Sequence, residues 1–259
     1  MEQIRIDGME CRLFVKGTPE VLLVQPSARH EDKNDGIQRE VALIEKASSC
    51  GFAIVFFDCR EWARALMPWA DDAVSHDSEV GRHAADTLHF VEHSLLPWLR
   101  GLYGRKPCIL GGYSLGGLFA LWAARNSTAF AAFAAASPSL WIRGWGEYAA
   151  AHPVLGYEYA VDDSLLQGMI CKKSTSNNST FNTPHSIFYL SLGDREEHCR
   201  NQRMKRIGDC ARAEYALLSQ HNTVVLKWHS GGHFGAEAER TAEAFAWCVA
   251  EVLKKSGRG

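Results

Sequence analysis

Two glycines bracket a serine in Gly112-Tyr113-Ser114-Leu115-Gly116, between the short apolar run Cys108-Ile109-Leu110 and a helix-like stretch from Gly117 to Ala124. This pattern constrains the fold more than any other in the chain. A serine flanked this way, after a strand and before a helix, sits on a sharp and strained turn. The glycines are needed because a Cβ there would collide with the neighbouring strand and helix. Such a turn exposes a hydroxyl at the end of a buried strand, so the surrounding chain is expected to form a sheet covered by helices. The pattern is that of a nucleophile elbow.

The rest of the sequence supplies that sheet. Gln3 to Ile6 and Cys11 to Val15 read as an antiparallel pair turned at Asp7-Gly8. Val21 to Val24, Phe52 to Phe57, Cys108 to Leu110, Ala129 to Ala136, Ile187 to Leu192 and Thr223 to Trp228 read as further strands. Most are apolar on both faces, as a parallel sheet sandwiched by helices requires. Helical patterns fall between them at Gln38 to Ser49, Gly81 to Leu96, Ala213 to Gln220 and Ala238 to Lys254, and Pro97 is expected to end or kink the second. Strand and helix in repeated alternation predict a doubly wound α/β sheet. The 259 residues fit one such domain, 1–259. One excursion, at about 137–183, breaks the rhythm. Its aromatic half (Trp141, Trp145, Tyr148, Tyr157, Tyr159) is expected to pack over the site as a lid, and its polar tract, Lys172 to Thr180, to be mobile.

Bulk properties narrow the function classes. A net charge of −2 gives no reason to expect nucleic acid or an anionic membrane as partner. No apolar run approaches a membrane span, and the charged start Met1 to Asp7 is unlike a signal peptide, so a cytoplasmic location is expected. Eight scattered cysteines without Cys-x-x-Cys spacing do not suggest a disulfide framework. Asn126-Ser127-Thr128 and Asn178-Ser179-Thr180 match the glycosylation pattern, which without export is a chance match.

A serine hydroxyl needs a base within hydrogen-bond reach, and in this fold the chain order is serine, acid, histidine. His233 lies in the glycine-rich loop Gly231-Gly232-His233-Phe234-Gly235 between the last strand and the last helix, well placed to reach back to Ser114. His229 is the rival, but it continues the strand. The acid is expected after Ile187 to Leu192, where Asp194, Glu196 and Glu197 compete. Glu196 leads on the spacing of glycine, two residues and acid seen in related hydrolases. Asp194 lies nearest the strand end, and Glu197 starts on the other side of the following helix. An oxyanion hole needs two backbone N–H groups. Leu115 would supply one; since Pro26 has none, Ser27 or Ala28 would supply the other.

The set Gly-Tyr-Ser-Leu-Gly-Gly, Ser-Pro-Ser-Leu-Trp, Ser-Leu-Gly-Asp-Arg-Glu-Glu and Gly-Gly-His-Phe resembles the Putative esterase family, which includes enterochelin-esterase-like and S-formylglutathione-hydrolase-like α/β-hydrolases. The likeness spans roughly residues 20 to 250. It implies the α/β-hydrolase fold, a serine carboxylesterase and a triad of Ser114, His233 and an acid within 194–197. It also implies a small-molecule ester as substrate, without naming one. Thioester or peptide hydrolysis, or a silent binding protein on this scaffold, are the alternatives. The segment Asp58 to Ala70 resembles the family's substrate-facing loop, so Trp62, Arg64 and Trp69, with Trp141, are expected to form an aromatic cleft with one cation, or else to pad the core. The triad chemistry calls for no cofactor. His89 and His93 are four apart but lack a third ligand, and the carboxylates of His30 to Asp35 lack calcium-loop spacing, so no metal is expected. The basic run Arg200 to Arg206 reads as an exposed helix face, and oligomeric state is not legible.

Overall fold

The computed structural model describes residues 1–28, 35–77, 79–157 and 185–257. Eight strands form one sheet in the order β1-β2-β4-β3-β5-β6-β7-β8. The strands are β1 (Glu2–Ile6), β2 (Met9–Lys16), β3 (Val21–Ser27), β4 (Phe52–Asp58), β5 (Cys108–Tyr113), β6 (Ala132–Ala136), β7 (Ile187–Gly193) and β8 (Thr223–His229). β1 and β2 form a hairpin through Asp7 and Gly8, both at positive φ, as a two-residue turn matched to strand twist requires. β2 then lies antiparallel to β4, and every pairing from β4 to β8 is parallel. This is the expected mostly parallel α/β-hydrolase sheet.

Alternate residues of the buried strands feed two cores. Val21, Leu23, Ile54 and Phe56 pack under α1 (Gly36–Ala47) and the last helix, α8 (Glu237–Lys255). Leu22, Val24, Val55 and Phe57 face the opposite layer. That layer holds α2 (Trp62–Leu66), α3 (Ala84–Phe90), α4 (Leu96–Tyr103), α5 (Leu115–Ala123), α6 (Trp145–Ala151) and α7 (Ile207–Leu218).

Some expected boundaries move. The helix read as Gly81 to Leu96 does not stop at Pro97: α3 passes through a π-helical turn, Val91–Leu95, into α4. Proline has no N–H and crowds the carbonyl four residues back, and the wider turn just before it accommodates both effects. β6 begins at Ala132 rather than Ala129, and β5 runs on to Tyr113, through both glycines of the elbow's leading edge. α7 starts six residues earlier than its apolar pattern, and α6 sits where no regular element was expected. The excursion is described only up to Tyr157; the tract 172–180 and the loop residues 30–34 lie outside the described residues. Among the described residues no helix is long and apolar enough to cross a membrane, and seven cysteines are free.

The elbow depends on close backbone approach. A Cβ on Gly112 would lie 2.8 Å from the Gly116 carbonyl carbon, whereas one on Gly146, in α6, would meet nothing within 4 Å. Gly112→Ala should therefore lower stability by about 1–3 kcal/mol in urea unfolding, and Gly146→Ala should raise it by about 0.5–1 kcal/mol. Equal midpoints for the two variants would contradict this packing.

Candidate active site

Parallel strands end on the same edge of a sheet, and loops at those carboxyl ends are where such folds build sites. Ser114 follows β5 at φ 57° and ψ −114°, a backbone conformation costly for a residue with a side chain. It is held there by its N–H on Ala136 O (3.0 Å) and by the Leu118 N–H on its own carbonyl (3.0 Å). The Ser114 hydroxyl thus stands at the first turn of α5, whose leading N–H groups have no intrahelical acceptor.

His233 Nε2 lies 3.0 Å from Ser114 Oγ, and its Nδ1 lies 2.7 Å from Glu196 Oε2. The other Glu196 oxygen accepts from Gly193 N (2.7 Å), Ser137 Oγ (2.8 Å) and Arg240 Nη1 (3.0 Å). Burial alone would push the Glu196 carboxyl up; the bonds from His233, Gly193 and Ser137 outweigh it and hold the group below its ordinary value. The neighbouring carboxylates are engaged elsewhere. Asp194 Oδ1 accepts from Gly231 N (2.9 Å), tying the β7 and β8 loops together, and Glu197 pairs with Arg212 at 2.5 Å. His229 ends β8, with Nε2 3.5 Å from Tyr189 OH and Nδ1 3.8 Å from Glu243.

Three contacts here had no counterpart in the sequence reading. Ser139 Oγ lies 3.2 Å from Ser114 Oγ. The Tyr113 hydroxyl donates to the His233 carbonyl, and burial pushes that phenol up to about 12. Arg240 is buried beside Glu196. Ser137 and Ser139 belong to Ser-Pro-Ser, a motif noticed only as a likeness. Arg240 falls on the buried face of α8 with Ala244 and Cys248, and a cation on an apolar stripe was the available signal.

Leu115 opens α5, and Ser27 is the last residue of β3, beside β5 in the sheet. A Cβ on Gly116 would lie 3.3 Å from Pro26 and 3.6 Å from the Trp62 ring, so the end of β3 and the start of α2 press on the elbow. Of the four residues expected to form an aromatic cleft or else to pad the core, the three tryptophans are partly buried against one and the same core. Trp62 is at the elbow; Arg64 pairs with Glu61 (2.9 Å) and lies 3.9 Å from Glu79. Trp69 stacks with Trp145 at 6.2 Å between ring centres, and its Nε1 donates to Arg143 O (2.7 Å). Trp141 lines a cavity of about 680 Å³ with Trp145, Arg206 and Cys210, which does not include Ser114 or His233. Asp71 clasps the loops beyond the site: its carboxylate accepts from Arg143 N (2.7 Å) and Arg203 Nη1 (2.5 Å). Trp145 and Tyr148 of the excursion therefore pack on Trp69, and Trp145 Nε1 donates to Glu214 of α7 (3.1 Å), while Ser139 reaches the serine; Tyr157 lies against the opposite core, and Tyr159 lies outside the described residues. The His89 and His93 rings lie 4.2 Å apart, and no group of three metal-ligating side chains occurs among the described residues.

The family model described as Putative esterase matches residues 17–231. It ends just before His233, whose placement beside Ser114 is a matter of geometry alone. No curated protein matches the chain in sequence. Among solved structures, the siderophore hydrolase EstA from Aspergillus nidulans is similar at a TM-score of 0.65 and 17% identity, over 97% of this chain and 94% of that one. An IroE-like serine hydrolase from Shewanella oneidensis gives 0.66 and 15%, over 95% and 79%. The enterobactin esterase FES from Shigella flexneri gives 0.57 and 16%, over 95% of this chain and 56% of that one.

Because the folded Glu196 carboxyl is held below its unfolded value of about 4.3, its contribution to stability is complete above that value and fades as pH falls through the folded one. On acidification from neutral pH to below that range, the wild-type protein should lose more unfolding free energy than Glu196→Gln, which cannot titrate there. Equal losses in the two proteins would show that the carboxylate is not so held.

Proposed function

Because the chain belongs to the Putative esterase family and is a carboxylesterase-type hydrolase, we propose that it cleaves a carboxylic ester through Ser114, His233 and Glu196 by way of an acyl-enzyme. The observation that carries this reading is the unbroken relay from Ser114 Oγ to His233 Nε2 (3.0 Å) and from His233 Nδ1 to Glu196 Oε2 (2.7 Å).

Ser114 attacks the ester carbonyl as His233 takes its proton. Glu196, already ionised and fully hydrogen-bonded, keeps the Nδ1–H tautomer and stabilises the imidazolium that forms. The developing oxyanion is met by the Leu115 N–H at the start of α5, with Ser27 or Ala28, at the end of β3, as second donor. His233 then protonates the leaving alcohol, and a water activated by the same imidazole releases the acid. The substrate is a small-molecule ester, and Trp62 beside the elbow and the exposed Phe234 beside His233 are the aromatic surfaces nearest the reacting atoms. The structural neighbours named a siderophore hydrolase and an enterobactin esterase make siderophore esters worth testing beside p-nitrophenyl esters of graded acyl length, a thioester and an acylated sugar.

Ser114→Ala and His233→Ala should each lower kcat by about 10³-fold or more, and Glu196→Gln by about 10²–10⁴-fold. Asp194→Asn and Glu197→Gln should stay within about tenfold of wild type, since their carboxylates serve loop contacts. Steady-state kinetics on the best ester settles the acid. A larger loss from Asp194→Asn than from Glu196→Gln would overturn the assignment.

A further inference from the structure

Arg240 is 2% exposed, yet no step of the proposed chemistry uses it. A buried guanidinium is costly unless its donors are satisfied and its charge is offset. Here Nη1 and Nη2 are bonded, and the charge is offset, by groups of the nucleophile turn and of the loops after β6, β7 and β8, while the buried Nε has no hydrogen-bond partner among the described residues. Nη1 lies 3.0 Å from Glu196 Oε1, 3.1 Å from Ser137 Oγ and 3.1 Å from the Tyr113 hydroxyl. Nη2 donates to the carbonyls of Gly232 (2.9 Å) and Ser230 (3.4 Å). The partners belong to the nucleophile turn, the loop after β6, the acid loop and the histidine loop. They are also linked onward: Tyr113 donates to the His233 carbonyl, and Ser137 donates to Glu196. The chain leaves room for this arrangement at Gly193, where a Cβ would meet Arg240 Nη2 at 2.8 Å and the Gly231 carbonyl at 2.3 Å.

We propose that Arg240 is the positioning residue of this site: its planar fork fixes Glu196 Oε1 so that Oε2 faces His233, and clamps the histidine loop to the nucleophile turn. A guanidinium suits this role because it offers five donors in a rigid plane, which an ammonium does not. Its charge also offsets that of Glu196 where His233 must gain and lose a proton each turnover. The other charged or titratable groups at this corner are Tyr113 on β5, Asp194 and Arg195 after β7, His229 at the end of β8, on which the Arg240 charge also acts, and Glu237 on α8, whose Oε1 accepts from Gly235 N. Among the hydrogen bonds and ion pairs formed by the described residues, Glu196 is the carboxylate that Arg240 touches.

The inference rests on the proposed triad, and its test has one arm that needs no activity. Removing the cation in Arg240→Met leaves Glu196 unopposed, which favours the imidazolium. In ¹H–¹⁵N NMR, the His233 imidazole of Arg240→Met should titrate at higher pH than wild type by roughly half a unit or more. The acid limb of kcat/KM should move the same way. Its kcat should fall by about 10²-fold with KM within about threefold, as expected when an interaction that matters in the transition state is lost. Arg240→Lys should leave the titration near wild type, because the charge stays, while kcat still falls by about tenfold, because the fork is gone. Should Arg240→Met fail to fold, Arg240→Lys decides: wild-type kcat in that protein overturns the proposal. So does an Arg240→Met enzyme whose titration is unmoved, which would mark Arg240 as scaffolding. Absence of ester hydrolysis in the wild-type protein would instead count against the triad, with the imidazole titration still reporting on Arg240.

Discussion

A carboxylate that is 4% exposed has to have its lone pairs met, and at Glu196 that requirement organises this corner of the molecule. Each unmet buried polar group costs about 1–3 kcal/mol, and a charged one more. The four donors to Glu196 come from His233, Gly193, Ser137 and Arg240, which lie on four separate stretches of chain. Satisfying one carboxylate therefore holds the β6, β7 and β8 loops and α8 against one another. The same contacts keep it ionised and present one oxygen to an imidazole.

The sheet makes this possible. β5, β6, β7 and β8 are parallel neighbours, so the turns after them open on one edge, and residues more than a hundred positions apart come within hydrogen-bond distance. The strained turn at Ser114 is tolerated because β5 and α5 are both buried and hold it from either side. The strain places the hydroxyl where α5 offers free N–H groups and where the loops after β7 and β8 reach it.

Much of this was legible in the sequence, for a physical reason. Strands buried on both faces must be apolar throughout, so β3, β4 and β7 stand out, and the glycine–serine–glycine turn admits few alternatives. The loop of His233 was recognisable because glycines bracket a histidine after the last strand. The acid was less so: Asp194, Glu196 and Glu197 share charge and chemistry, and only contact geometry separates the one on His233 from the ones on Gly231 and Arg212. Arg240 was missed because a helical stripe is read by its apolar members, and an interruption was not weighed as a sign of a buried partner. The π-helical turn before Pro97 was hidden because the residues of an α- and a π-turn look alike in sequence. The aromatic residues show a similar limit. Composition reveals that Trp62, Trp69 and Trp141 are present, but which ring meets which depends on loop paths that no periodicity encodes.

The central claim is that Ser114 is a nucleophile activated in place. Covalent labelling by a fluorophosphonate, read by mass spectrometry of the folded protein and its peptides, tests it most directly. The account predicts one adduct per chain, located on Ser114, absent in Ser114→Ala and slowed by orders of magnitude in His233→Ala. A folded protein that remains unlabelled, or carries its adduct on another residue, would contradict it.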